Sequence, residues 1–99
     1  MSPKIAIDRQ RLADFCRRHQ IRRLALFGSV LRDDFGPDSD VDVLVEFEPG
    51  HVPGFALVNV EDELSVLVGR KVDLHTAGSL SRYFRDRVVR EAQDQYVRA

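Results

Sequence analysis

The residues able to do chemistry are few and lie close together in one part of the chain. Asp40 and Asp42 fall in residues 40–47 (DVDVLVEF), where polar and apolar side chains alternate as in a half-buried strand. Strand positions i and i+2 share a face, which sets the two carboxylates about 7 Å apart at Cα. Carboxylates that near repel and raise each other's pKa. A divalent cation removes the conflict, and Mg²⁺ takes one or two protein carboxylates with phosphate oxygens and waters filling its octahedron. Asp73 is the one acidic residue of a later strand-like run, residues 71–76 (KVDLHT). It alternates with Val72 and Leu74, so it can face the same way as the pair. Three carboxylates could hold two metals, one on a nucleotide triphosphate and one activating a hydroxyl for in-line attack.

Gly28-Ser29 stands between a strand-like RLALF and a helix start. Backbone N–H groups and a helix dipole bind phosphate at such a place, and glycine lets the backbone come close. A lone Asp-x-Asp is common among solvated carboxylates, and a lone Gly-Ser is usually a turn. The information is in the combination: strand, Gly-Ser, ten residues, Asp-x-Asp in a strand, then Asp in a later strand.

The elements that position these residues follow from the pattern. Asp8 is placed to cap a helix over residues 9–19, with Ile7 and Leu12 spaced as a hydrophobic staple. Residues 23–27 read as a buried strand and residues 30–33 as a short helix. Residues 35–39 (FGPDS) are a loop of turn formers. Val41, Val43, Val45 and Phe47 form the apolar face of the next strand, opposite Asp40, Asp42, Leu44 and Glu46. A second loop leads to a helix over residues 55–68, whose stripe is Leu57, Val60, Leu64, Leu67 and Val68, with Gly69 at its left-handed end. From about residue 80, Phe84, Val88, Ala92 and Tyr96 recur at spacing four and predict a last helix running through the tail. The order predicts an α/β (α+β) domain: a small mixed sheet of about three strands, helices mainly on one face, carboxylates on the other.

Composition bounds the rest. The chain has 99 residues, 43% hydrophobic and 31% charged, which fits one domain over residues 1–99 with a modest core. No apolar run is long enough to span a membrane, and the first ten residues lack a signal peptide's apolar stretch. One cysteine, Cys16, allows neither an internal disulfide nor a cysteine zinc site. A reduced, cytoplasmic protein is expected. The net charge of −1 is unevenly spread: residues 24–68 carry ten acidic residues against Arg32, while both flanks are basic. An acidic middle repels a nucleic-acid backbone and favours a divalent metal. With no helix-turn-helix pattern around a basic helix, direct DNA binding is not expected.

Taken together, LFGS, Arg32, PDSDVDVLVEF, Pro53-Gly54-Phe55, GRKVDL and LSRYFRDRVVREA resemble the nucleotidyltransferases related to DNA polymerase beta. Within them, the small size and the tail resemble the minimal nucleotidyltransferase (MNT) antitoxins. The resemblance implies that Gly28 and Ser29 hold nucleotide phosphates and that Asp40, Asp42 and Asp73 are catalytic and bind Mg²⁺, two ions in all. It implies ATP as substrate and a cognate HEPN-domain ribonuclease toxin as partner in a hetero-oligomer. AMP would pass to a tyrosine hydroxyl of that toxin and block it. The chain has no room for a second domain to present an acceptor, which suits an acceptor supplied by a partner. Two other functions fit the same residues: neutralising a toxin by binding alone, or transferring a nucleotide to a small molecule. Asp33, Asp34 and Asp38 read as solvated loop charges, Arg32 as a phosphate contact or a solvated ion-pair partner. His75 shares Asp73's expected face and could assist near the site, with a surface or partly packed histidine favoured; His19 and Cys16 read as core or near-core, and His51 as exposed. Tyr83 and Tyr96 read by default as packing on the last helix, with modification or a partner contact as the other reading, and Arg82, Arg85, Arg87 and Arg90 equally as a solvated helix surface or as a dock for an acidic partner face.

Overall fold

Asp8 starts the first helix. In the computed structural model its Oδ1 accepts hydrogen bonds from the N–H groups of Gln10 and Arg11, each 3.0 Å long. The structure describes residues 7–31, 36, 39–51, 54–76, 78, 80, 83 and 85–98, the side chains of Ser29 and Phe55 excepted. Helix α1 (Arg9–Arg18) buries Leu12, Phe15 and Cys16, and Ile7 packs against the same core as Leu12. The Cys16 thiol is pushed up to about 12 by burial, against the opposing charge of Arg17. It is packing material rather than a nucleophile.

Strand β1 (Ile21–Phe27) runs into a short 3₁₀ turn, Gly28–Leu31, and strand β2 (Val41–Phe47) follows. A second 3₁₀ turn, Gly54–Ala56, opens helix α2 (Leu57–Val68), which ends at Gly69 in the left-handed conformation. Strand β3 (Val72–Thr76), helix α3 (Arg85–Glu91) and strand β4 (Gln93–Val97) complete the order. The sheet runs β3-β2-β1-β4. β1 is antiparallel to both neighbours, and β2 and β3 are parallel, joined through α2. A parallel pair requires such a crossover.

The fourth strand corrects the expected sheet of about three. The last helix stops at Glu91, and Tyr96 lies on β4 opposite Leu24 instead of on a helix. The helical spacing holds from Val88 on α3 to Ala92 just beyond it, and Tyr96 falls on β4, where it packs on the other face of the sheet. Pairing with β1 makes that last segment a strand. Arg23 Nε donates to Asp94 Oδ1 at 2.6 Å across that pair, and Tyr96 packs on the core.

The sheet has two unlike faces. Leu24, Leu26, Val41, Val43, Val45, Val72 and Leu74 join α1 and α2 in the main core. On the opposite face Phe27 and Leu44 meet Leu80, with Val88, Val89 and Ala92 packed around them. Most helical cover is therefore on one face, as expected, and α3 covers part of the other. The outer strand β3 is tied down by α2. Val72 N–H donates to Ser65 Oγ at 3.0 Å and Leu74 N–H to Glu61 Oε2 at 2.8 Å. Side chains one helical turn apart thus take N–H groups that an edge strand would leave open. No helix among the described residues is long and apolar enough to cross a membrane.

Candidate active site

Register brings the chemistry together. In the parallel pair Asp42 lies opposite Asp73 and Leu44 opposite His75. In the antiparallel pair Asp42 lies opposite Phe27, the last residue of β1. Asp42, Asp73 and His75 therefore share the face that α1 and α2 leave open. His75 Nε2 is 3.2 Å from Asp73 Oδ2 and 3.8 Å from Asp42 Oδ1. Each of the three residues offers one donor atom to a group whose members all lie within 4.8 Å of one another. The His75 ring stands edge-on to Phe27, centroids 5.4 Å apart.

Burial raises the Asp42 carboxyl above its ordinary range; the nearby His75 pulls it down, while Asp73 and Asp40 push it up. A half-buried carboxylate among like charges is in electrostatic conflict that a cation at the same point would relieve. Two carboxylate oxygens and one imidazole nitrogen within reach of one ion are a fitting donor set.

Gly28 abuts this group. Its φ of +75° is left-handed, and a Cβ there would run into the Asp42 carboxylate, reaching Cγ at 3.3 Å. Glycine at this position is thus required both by the backbone and by the carboxylate beside it. Ser29 follows in the same turn. Asp40 precedes β2, is exposed, and sets its Oδ2 3.9 Å from Lys71 Nζ. It lies outside the three-residue group, although its charge reaches Asp42. The i, i+2 rule places a pair on one face only inside a strand, and β2 begins at Val41. Arg70 holds the approach to Asp40 by donating to the carbonyls of Gly36 and Ser39. Arg32, Asp33, Asp34, Asp38 and Arg82 lie outside the described residues. His51 is exposed and His19 half-buried.

Sequence reasoning placed His75 on Asp73's face but ranked a surface or packed role above a role in the site, although Asp73-x-His75 carried the same i, i+2 signal as Asp40-x-Asp42. It also missed Glu61, Ser65 and Arg70, whose hydrogen bonds to distant backbone have no local pattern.

Residues 9–98 match the nucleotidyltransferase domain. The chain belongs to the nucleotidyltransferase domain family. Its site residues lie within the matched segment. This nucleotidyltransferase is similar to the protein adenylyltransferase MntA of Thermococcus cleftensis, 37% identical over 75 residues that cover 75% of this chain and 74% of that protein. It is also similar to a solved structure described as a candidate minimal nucleotidyltransferase, with a TM-score of 0.70 and 36% identity, covering 85% of each chain. A complex of tri-AMPylated Shewanella oneidensis HEPN toxin with MNT antitoxin shares the fold at a TM-score of 0.65 and 20% identity, over 91% of this chain and 70% of that one. The minimal nucleotidyltransferase fold and the enzyme class expected from the sequence are borne out.

Proposed function

We propose that this nucleotidyltransferase is an antitoxin that transfers AMP from ATP to a tyrosine hydroxyl of a cognate HEPN ribonuclease toxin. The observation that carries the reading is the face on which Asp42, Asp73 and Gly28 converge. The relative named as a protein adenylyltransferase and the fold shared with an MNT antitoxin on its AMPylated toxin support it.

In this reading the tyrosine oxygen attacks the α-phosphorus. The bond from that phosphorus to the β-phosphate bridging oxygen breaks, and pyrophosphate leaves. Asp40, Asp42 and Asp73 would hold two Mg²⁺ ions, which would supply charge neutralisation on the triphosphate and easier ionisation of the attacking hydroxyl. Gly28 and Ser29 hold the phosphates through their backbone, Gly28 by letting the chain approach closely. Asp73, on the more open side of the group, accepts the proton of the incoming hydroxyl. The chain acts as a single domain in the cytoplasm, in complex with the toxin, which supplies the acceptor; membrane and nucleic acid have no part in the reaction.

The test is incubation of the protein with its HEPN partner, Mg²⁺ and ATP labelled at the α-phosphate. The partner becomes labelled, and the Asp40→Asn/Asp42→Asn double variant leaves it unlabelled. Persistent labelling by the double variant would sink the assignment.

A further inference from the structure

His75 is the member of the cluster to which the nucleotidyltransferase reading gives no task. Its position is nevertheless well determined by packing. The parallel register fixes it opposite Leu44, and the edge-on contact with Phe27 limits the ring's orientation. Its Nε2 is directed at two carboxylates and meets both. Donor atoms adjacent in an octahedron with bonds of about 2.1 Å stand about 3 Å apart, and opposite ones about 4.2 Å. The 3.2 Å to Asp73 is close to the adjacent spacing, and an ion would draw the wider pair, 3.8 Å to Asp42, together. The His75 side chain is 27% exposed, so an ion can reach it without the sheet opening.

Resting on the metal-dependent reading above, we infer that His75 Nε2 is a third protein ligand of the ion held by Asp42 and Asp73. The nitrogen donor biases that position toward first-row transition ions over Mg²⁺, most for Co²⁺ and Ni²⁺ and least for Mn²⁺. The reason is chemical. Mg²⁺ is a hard ion that selects oxygen donors and keeps its waters. Imidazole binds the borderline ions Fe²⁺, Co²⁺ and Ni²⁺ with rising affinity, and the harder Mn²⁺ more weakly but better than Mg²⁺. A site of three carboxylates would not discriminate in this way; the oxygen, oxygen, nitrogen set does.

The test reads the ligand directly. The full chain is prepared with ¹⁵N-histidine and with natural histidine, and each is loaded with Mn²⁺ and α,β-methylene-ATP. Electron spin echo spectra of bound Mn²⁺ then show a nitrogen coupling whose frequency changes with the label. The coupling is absent in His75→Gln. Co²⁺ affinity falls about tenfold or more in that variant, while Mg²⁺ affinity, read by competition, changes less than about threefold. Mn²⁺ bound without a histidine coupling in the wild-type chain overturns the ligand role and leaves the carboxylate site standing. Failure of the wild-type chain to bind Mn²⁺ at all overturns both. The labelled wild-type measurement needs no substitution, so a variant that folds poorly cannot rescue the idea.

Discussion

At Gly28 two independent requirements meet: a backbone at φ +75° and a carboxylate where a side chain would start. Gly28→Ala should destabilise the fold by about 1 kcal/mol or more, since a left-handed position strains any β-carbon. It should lower AMP transfer by a larger factor than the stability loss explains, because the displaced group is Asp42 itself. Urea unfolding set beside an AMP-transfer assay separates the two effects. Of these requirements the sequence carried half. Gly-Ser after a strand announced a turn with open backbone, but contact with Asp42 depends on β1 pairing with β2 in a particular register. Asp40 shows the converse. Its type and spacing were legible, yet its placement depended on where β2 begins, a boundary that one residue's hydrogen bonds decide.

Among the elements, α2 has two duties. Its inner stripe packs on the sheet, as the 3.6-residue period announced. Its Glu61 and Ser65 also fasten β3, the strand that carries Asp73 and His75. Glu61→Ala leaves the Leu74 N–H without its acceptor, and a buried donor stranded in this way costs about 1–3 kcal/mol. Urea titration should show that loss, together with weaker metal binding, because the strand beside Asp42 loses its anchor. The other side of α2 clasps α1. Glu63 accepts from Arg18 Nη1 at 2.6 Å and also pairs with His19. Those hydrogen bonds, Arg18's first, hold its carboxyl below its ordinary range. A carboxylate depressed in the folded state stabilises above its unfolded pKa and loses that contribution as pH falls through the folded value. Glu63→Gln should therefore be less stable at pH 7, by less than about 1 kcal/mol because the pair is solvent-exposed. The difference should vanish in acid, as thermal unfolding across pH can follow. The fourth strand is the element that could not be read locally. Gln93, Asp94 and Gln95 offer no alternation of apolar residues, and only a partner 70 residues away in sequence, β1, makes them a strand.

For the whole molecule, the sheet order β3-β2-β1-β4 puts the ends of two parallel strands and the turn after β1 at one place. Helices α1 and α2 pack on one face and leave Asp42, Asp73 and His75 on the other, which α3 covers in part. The acidic middle of the sequence foretold that division in charge, since residues 24–68 hold Asp40 and Asp42 and few cations. A ligand that binds only the folded protein stabilises it by about 2.7 kcal/mol at a hundred times its dissociation constant. Mg²⁺ with ATP should do so here, and Asp42→Asn should lose the gain; thermal shift at matched concentrations measures it. The most direct measurement is mass spectrometry of the HEPN partner after incubation with this protein, ATP and Mg²⁺. The account predicts AMP on a tyrosine of the partner with the wild-type chain and none with Asp42→Asn. An unmodified partner, or equal modification by both chains, would contradict it.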